Sequence, residues 1–511
     1  MRNHAARLLL EGPGNWTEIA RAIWADLLNH ARVGGRPFTH MKLTLPPSDS
    51  MTENNSASRR ELLKSVLGLG AVAGGLASCA STSAERASRS GAQYMGDFAA
   101  PALDRIRLGF IGTGLRGSGH VRQMLMMDGV DVVAICDSNP KAAASSAKAC
   151  VDAGRAAPAV YDRGEEDYKR MLEEVELDAV LIATPWRWHA PQGIAAMEAG
   201  AHAFLEVPIA TTLDEIWALV DTSEATGRHC MMMENCCYGR NELLFLNMVR
   251  KGVIGELTHG EGAYIHDLRG QMAEVDIGEG NWRVAHHTLR DGNLYPTHGL
   301  GPIAQMMGLE RGTDRFERIV SFSSPAFGRA LAAQRVLPPD HPRNQTNYIC
   351  GDMNSSLIKT KLGRTLLVQH DVTSPRPYTR LNTISGTRGT LADYPLRVAL
   401  DPEGKGAHSW LQSEEQLAPV FKEHEHPLYG RVGEEARKAG GHGGMDFIML
   451  WRIAYCLRNG LPMDQNVYEG ASWSAVCPLS ETSVAKGGNP QLFPDFTRGR
   501  WQETKPLGVV S

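Results

Sequence analysis

The segment that most limits how this chain can fold runs from Arg105 to Asp137, RIRLGFIGTGLRGSGHVRQMLMMDGVDVVAICD. An apolar run, Ile106 to Ile111, ends in Gly112-Thr113-Gly114-Leu115-Arg116-Gly117. A helical stretch, His120 to Met127, and a second apolar run, Val130 to Cys136, lead to Asp137. Strand, glycine turn, helix, strand and acid in that order make a dinucleotide-binding unit. Gly112 permits the tight turn, Gly114 lets backbone approach a pyrophosphate, and Gly117 lets helix and strand pack closely. The amides and dipole at the helix start favour phosphate charge. Asp137 accepts hydrogen bonds from a ribose 2′-OH and repels a 2′-phosphate, which favours NAD over NADP. Arg116 beside the turn weakens that preference.

The remaining chain sets bounds. Its 511 residues suffice for two or three domains. A net charge of −4 gives no electrostatic reason for nucleic acid as a partner. Nine cysteines without a CxxC pair argue against a disulfide scaffold, and no spacing suggests zinc, so no metal is expected. Residues 1–50 lack periodicity and precede a second methionine, Met51, so they read as a non-native or disordered extension. Residues 51–100 read as signal and linker. Arg59-Arg60 precede a modest apolar segment, Ser65 to Ala77, the pattern of a twin-arginine export signal. Leu76-Ala77-Ser78-Cys79 is similar to a bacterial lipobox, which would make Cys79 a lipid anchor. Such a leader predicts a periplasmic or envelope-attached protein.

From 104 to 234, strand and helix patterns alternate, predicting an α/β domain with a doubly wound parallel sheet. Helices are expected over Pro140–Ala153, Tyr168–Val175, Pro191–Ala199 and Leu213–Thr226. Strands are expected over Asp178–Thr184, His202–Leu205 and His229–Met233. Pro185-Trp186-Arg187-Trp188-His189 and Glu206-Val207-Pro208 each follow a strand, where ligands bind in such sheets, and the strand His229–Met233 ends in Glu234-Asn235. From 235 to 500, strands Glu256–His266, Phe316–Phe322, Ser355–Lys361, Thr365–Asp371 and Leu381–Ser385 lack regular helical interruptions. They predict an α+β domain with a large open, mostly antiparallel sheet facing a substrate cleft. A polar and aromatic cluster lies between them: Tyr264, Trp282-Arg283, His286-His287, Tyr295-Pro296-Thr297-His298 and Tyr378. Tyr295 and His298 share a face if Pro296 opens a helix. Together they supply a proton donor and acceptor without a carboxylate.

The layout of strand, GxGxxG, acid, TP…H and E-x-P resembles the glucose–fructose oxidoreductase/inositol dehydrogenase/MocA superfamily, with its Rossmann domain. Typical dehydrogenases of that group carry E-K-P, whose Lys transfers a proton; Val207 stands there instead. TPWRWH, EVP, NCCYGR, NWR, YPTHGLGP, SPRPY and GGHGGMDF resemble the NAD-dependent α-N-acetylgalactosaminidase family of glycoside hydrolases, from about Arg105 to Arg500. That resemblance implies hydrolysis by oxidation at C3, elimination across C2 and C1, water addition and reduction, with NAD regenerated. It implies NAD contacts from Leu115, Arg116, Asp137, Trp186, Arg187, Trp188, His189, Glu206, Val207 and Asn235, beside the turn's Gly112, Gly114 and Gly117. Sugar contacts would come from Tyr264, Arg283, Tyr295, Pro296, Thr297, His298 and Tyr378. His298 and Tyr295 are the expected proton-handling residues, with Glu206 and Tyr238 as assistants. The partner is a glycan or small molecule ending in α-N-acetylgalactosamine; a homo-oligomer is also expected. A sugar oxidoreductase with net hydride transfer is the alternative, and a non-catalytic sugar- or nucleotide-binding lipoprotein the third reading.

Overall fold

A computed structural model of the chain describes residues 92–274 and 279–508, all within one compact unit. The extension, the twin-arginine segment and Cys79 lie outside the described residues. The first sheet orders its strands β3-β2-β1-β4-β5-β6. These are β1 Ile106–Ile111, β2 Val130–Cys136, β3 Ala159–Tyr161, β4 Ala179–Ile182, β5 His202–Leu205 and β6 Cys230–Met232. Every pairing is parallel. β4 and β5 are buried throughout, as a parallel strand covered on both faces must be. The helix Leu213–Thr226 has its predicted ends because both are capped. Thr212 and Glu215 form a reciprocal capping box, and Gly227 closes it in the left-handed conformation.

Two helices depart from expectation. The first begins at Gly117 and ends at Met124, three residues earlier at each end than expected. The helix expected from Pro191 begins at Trp186, so the Trp-Arg-Trp-His run forms its first turns rather than a loop. Pro191 sits in the second turn of that helix, where its missing amide forgoes one i→i−4 hydrogen bond.

The second sheet has the order β13-β12-β11-β7-β10-β9-β8-β14. Its strands are β7 Leu257–Ile265, β8 Phe316–Ser323, β9 Asn354–Thr360, β10 Thr365–Asp371, β11 Thr383–Gly386, β12 Gly389–Ala392, β13 Arg397–Leu400 and β14 Gln491–Leu492. β7 and β10 run parallel and the other neighbours antiparallel. The second half carries more helix than expected, including Glu279–Leu289, Thr297–Met307, Gly328–Val336, Glu414–His424, Pro427–Ala439 and Val467–Ala485. Val467–Ala485 starts at an Asn466–Glu469 capping box and is buried almost all round. It packs on β8 of the open sheet and on β6 and Leu213–Thr226 of the parallel-sheet domain, holding the two together.

The helix Thr297–Met307 lies against β7 because neither has a side chain at the crossing. A Cβ on Gly299 would stand 2.0 Å from the Ala263 amide nitrogen, and one on Gly262 would stand 2.5 Å from the Gly299 carbonyl. Pro296 is the N-cap of this helix, so the condition for Tyr295 and His298 to share a face is met. The close crossing also sets Tyr264 of β7 beside both.

Candidate active site

The glycine turn leaves the carboxyl end of β1. Gly112 has φ +83, and a Cβ there would meet the Ala183 carbonyl oxygen at 2.8 Å. A Cβ on Gly117 would lie 1.9 Å from the Gly112 oxygen, so the helix start packs on the turn only with glycine there. A Cβ on Gly114 would meet nothing within 4 Å. The turn is therefore closed on the protein side and open where a pyrophosphate would approach, which fits a dinucleotide. Leu115 projects from it, largely exposed. Asp137 ends β2 and accepts from the Thr113 amide at 2.6 Å through one oxygen and from the Asn139 amide at 2.8 Å through the other. It thus braces the turn from the side where a ribose would lie.

Arg116 does not reach toward Asp137, which corrects the expectation that it weakens the preference for NAD. Its Nε donates to Glu206 Oε1 at 2.5 Å, and its Nη1 and Nη2 donate to Asp446 at 2.7 and 3.0 Å. His120 Nε2 meets the same Glu206 oxygen at 2.7 Å. Asp446 also accepts from Asn235 Nδ2 at 2.7 Å and faces His442 Nδ1 at 2.8 Å. Burial alone would raise the pKa of Glu206, but Arg116 and His120 reverse this and hold it far below the usual carboxylate range. Asp446 behaves alike, with His442 and Arg116 outweighing burial. Both acids are fixed anions. Glu206 therefore positions the arginine beside the turn and is not poised to give up a proton.

Past β4 and β6, on the same edge of the parallel sheet, stands an aromatic and imidazole cluster. The Trp186 ring stacks 5.7 Å from Tyr295 at 26° and lies 4.8 Å from Trp282 and 4.7 Å from His286. The Arg283 guanidinium sits 5.2 Å from Trp186, 4.9 Å from Trp282 and 5.2 Å from Tyr295. Tyr295 and His298 have ring centroids 4.9 Å apart, edge on, and Tyr264 is 4.7 Å from the first and 5.2 Å from the second. The Tyr264 hydroxyl is 3.1 Å from His266 Nδ1. Tyr378 borders His266 at 4.9 Å and accepts from Arg380 Nη1 at 2.9 Å. Pro296 and Thr297 are buried beneath the cluster. Burial pushes the Tyr295 hydroxyl well above the usual phenol range, so it stays a proton donor. The key partner is one that sequence reading passed over: Glu234, fully buried after β6, whose Oε1 lies 2.7 Å from His298 Nδ1. Burial would raise its pKa, but His298 and the Cys236 amide, both on Oε1, bring it below the ordinary value. An acid following a strand at the ligand-binding edge was the available signal.

Other expected residues are not brought to the cluster. The Tyr238 hydroxyl donates to Asp464 at 3.1 Å, within a buried pair between Asp464 and Arg452. Arg187 turns outward to Glu165. Both His189 ring nitrogens face backbone oxygens, of Pro208 at 2.7 Å and Thr184 at 2.8 Å, so His189 ties β4's end to the Glu206-Val207-Pro208 turn. Trp188 packs edge-on to Tyr168 at 6.2 Å, while Val207 is buried in the core. Trp282 and His286, named in sequence reading only as members of the cluster, are further wall residues, and His120 and Asp446 are ones that sequence reading left without a role.

Known proteins resemble this chain in sequence and in fold. The family described as oxidoreductase family, NAD-binding Rossmann fold, matches residues 106–234. The family described as glycosyl hydrolase 109, C-terminal domain, matches residues 238–503. A glycosyl hydrolase family 109 protein of Akkermansia muciniphila is 57% identical over 421 residues, covering 82% of this chain and 88% of that one. One from Shewanella amazonensis is 53% identical over 455 residues, covering 88% of this chain and 99% of the other. A levoglucosan dehydrogenase, solved with NADH and levoglucosan, shares the fold at 20% identity with TM-score 0.57, covering 76% of this chain and 100% of its own.

Proposed function

The chain belongs to glycosyl hydrolase family 109 and begins its described fold with an NAD-binding Rossmann domain, and from that premise we propose that it hydrolyses terminal α-N-acetylgalactosamine with an NAD that is regenerated each turnover. The observation that carries the reading is the Glu234–His298–Tyr295 grouping, stacked on Trp186 at the ligand-binding edge of the sheet that carries the glycine turn.

The bound nicotinamide supplies a reversible hydride acceptor for sugar C3. His298, with Nδ1 held by Glu234, presents Nε2 to take the C3 hydroxyl proton. Tyr295, kept a phenol by burial, donates to the C3 oxygen as it becomes a ketone and so acidifies the C2 hydrogen. Loss of that hydrogen as a proton lets the aglycone leave C1, and water adds there before the steps reverse. Tyr264, Arg283 and Tyr378 form the sugar-facing walls. Arg116, Asp137, Trp186 and Asn235 would hold the cofactor.

An ordinary glycosidase needs one carboxyl group protonated and ready to donate to the leaving oxygen. The acids here, Glu206, Glu234 and Asp446, are all buried carboxylates held below their usual pKa by cationic or hydrogen-bonding partners. That favours the oxidation–elimination route. Val207 in place of a proton-transferring lysine disfavours net alcohol oxidation. The leader pattern supports export by a twin-arginine route, with a lipid on Cys79; cell fractionation of full-length protein and a Cys79→Ala variant tests both.

The test is release of sugar from a chromogenic α-N-acetylgalactosaminide in deuterated water. The expected result is deuterium at C2 of the product and no net NADH. Stoichiometric NADH with an oxidised sugar would instead favour the oxidoreductase reading.

A further inference from the structure

We propose that Glu234, Cys236 and His298 form a binding site for a thiophilic divalent cation such as Zn2+ or Cd2+, and that filling it switches turnover off. The loss of turnover rests on the function proposed above; the binding does not.

A carboxylate oxygen of Glu234, Sγ of Cys236 and a ring nitrogen of His298 all lie within 4.8 Å of one another. Carboxylate, thiolate and imidazole are the three ligand types zinc takes, and three protein ligands with one open position is the donor count of reactive zinc sites. Bond lengths of ~2.0–2.3 Å place tetrahedral ligand atoms about 3.3–3.6 Å apart. His298 Nδ1 and Glu234 Oε1, now at 2.7 Å, would separate by under about 1 Å to admit the ion. Glu234 has a donor to spare: its Oε2 is buried with no hydrogen-bond partner of ordinary geometry. Glu234 and Cys236 are buried, whereas the His298 side chain keeps 15% of its surface exposed and marks the route of entry.

The inhibitory step balances simply. The ion bonds to Sγ, Nδ1 and the carboxylate, and the thiol proton goes to solvent. The proton that lay between Nδ1 and Glu234 moves to Nε2. Nε2 is then a donor and cannot accept a proton from a sugar hydroxyl. No electron changes hands. Nothing in the sugar chemistry uses the Cys236 thiol, so its removal separates metal binding from turnover.

The experiment titrates chelator-treated holoenzyme with Cd2+, reading the ultraviolet thiolate-to-cadmium charge-transfer band and glycosidase turnover together. Expected are a band saturating at one ion per chain and loss of turnover in step with it. Cys236→Ala and Cys236→Ser should lose the band and weaken inhibition by more than about 100-fold, beyond the loss that removing an outer partner of a metal site produces. Both should keep metal-free turnover, and Cys237→Ala should behave like the parent protein. No saturable band in the parent, or a band that survives Cys236→Ala and Cys236→Ser, overturns the proposal. A band that needs Cys236 in a protein without glycosidase activity upholds the site and counts against the function.

Discussion

His298 Nδ1 lies 2.7 Å from Glu234 Oε1, joining a residue at the start of one helix to the acid that ends the parallel sheet. The carboxylate fixes which ring nitrogen carries the proton and so leaves Nε2 to accept. Glu234→Gln keeps the shape but removes that charge. It should lower kcat by about 10²-fold or more, the usual worth of a positioned acid–base group, with the thermal midpoint little changed. Steady-state kinetics on an α-N-acetylgalactosaminide, beside a melting curve, checks this.

Gly114 and Gly117 predict opposite behaviour from the same substitution. Gly117→Ala drives a Cβ to 1.9 Å from the Gly112 oxygen and should destabilise the fold by about 1–3 kcal/mol. Gly114→Ala meets no protein atom within 4 Å, so stability should hold while the backbone's approach to a pyrophosphate is blocked. Measuring NAD released on denaturation, together with urea unfolding, separates the two.

Arg283 is stacked among Trp186, Trp282 and Tyr295 at 4.9–5.2 Å. Lysine keeps the charge but not the plane. Arg283→Lys should raise KM for the sugar substrate by about tenfold, equivalent to ~1.4 kcal/mol of lost binding, with NAD content unchanged.

Tyr238→Phe tests whether Tyr238 assists the chemistry. Its hydroxyl is spent on Asp464, so turnover should stay within a few-fold while stability falls by about 1 kcal/mol. A hundredfold loss of kcat in a well-folded variant would restore it to the active site.

Stability should fall as the solution is acidified below neutrality, in part through His202. Burial, seconded by the Arg228 charge, pulls its pKa down to about 4. The unfolded chain binds that proton near pH ~6.5. The group's contribution is complete above about 6.5 and is lost as pH falls toward 4, at ~1.4 kcal/mol per pH unit. Urea unfolding of the parent and His202→Gln over that window should show the slope reduced by about one proton in the variant.

Local pattern was enough to read five of the first sheet's six strands; β3, Ala159–Tyr161, is too short to show one. Ile106–Ile111 and Val130–Cys136 announce themselves by apolar runs broken at glycine and acid, and Leu213–Thr226 by its caps. Val467–Ala485 was invisible because a helix buried all round has no polar face to reveal a period. Thr297–Met307 was hidden by Gly299, Gly301 and Pro302, all poor helix formers; Gly299 serves the close crossing with β7, and Gly301 the packing on Glu234 and Trp473. The Tyr295–His298 pair was legible because they lie three positions apart. The pairing of Glu234 with His298 was not, since they lie 64 positions apart and only the folded sheet brings them together. The ties from Arg116 to Glu206 and Asp446 were concealed for the same reason.

Asp446 follows Arg116 by 330 residues. A ribosome that has finished the parallel sheet has therefore made the whole glycine turn, yet not the carboxylate that steadies its arginine. Truncation before residue 446 would leave the glycine turn's arginine without one of its two carboxylates, and the turn with a loose side.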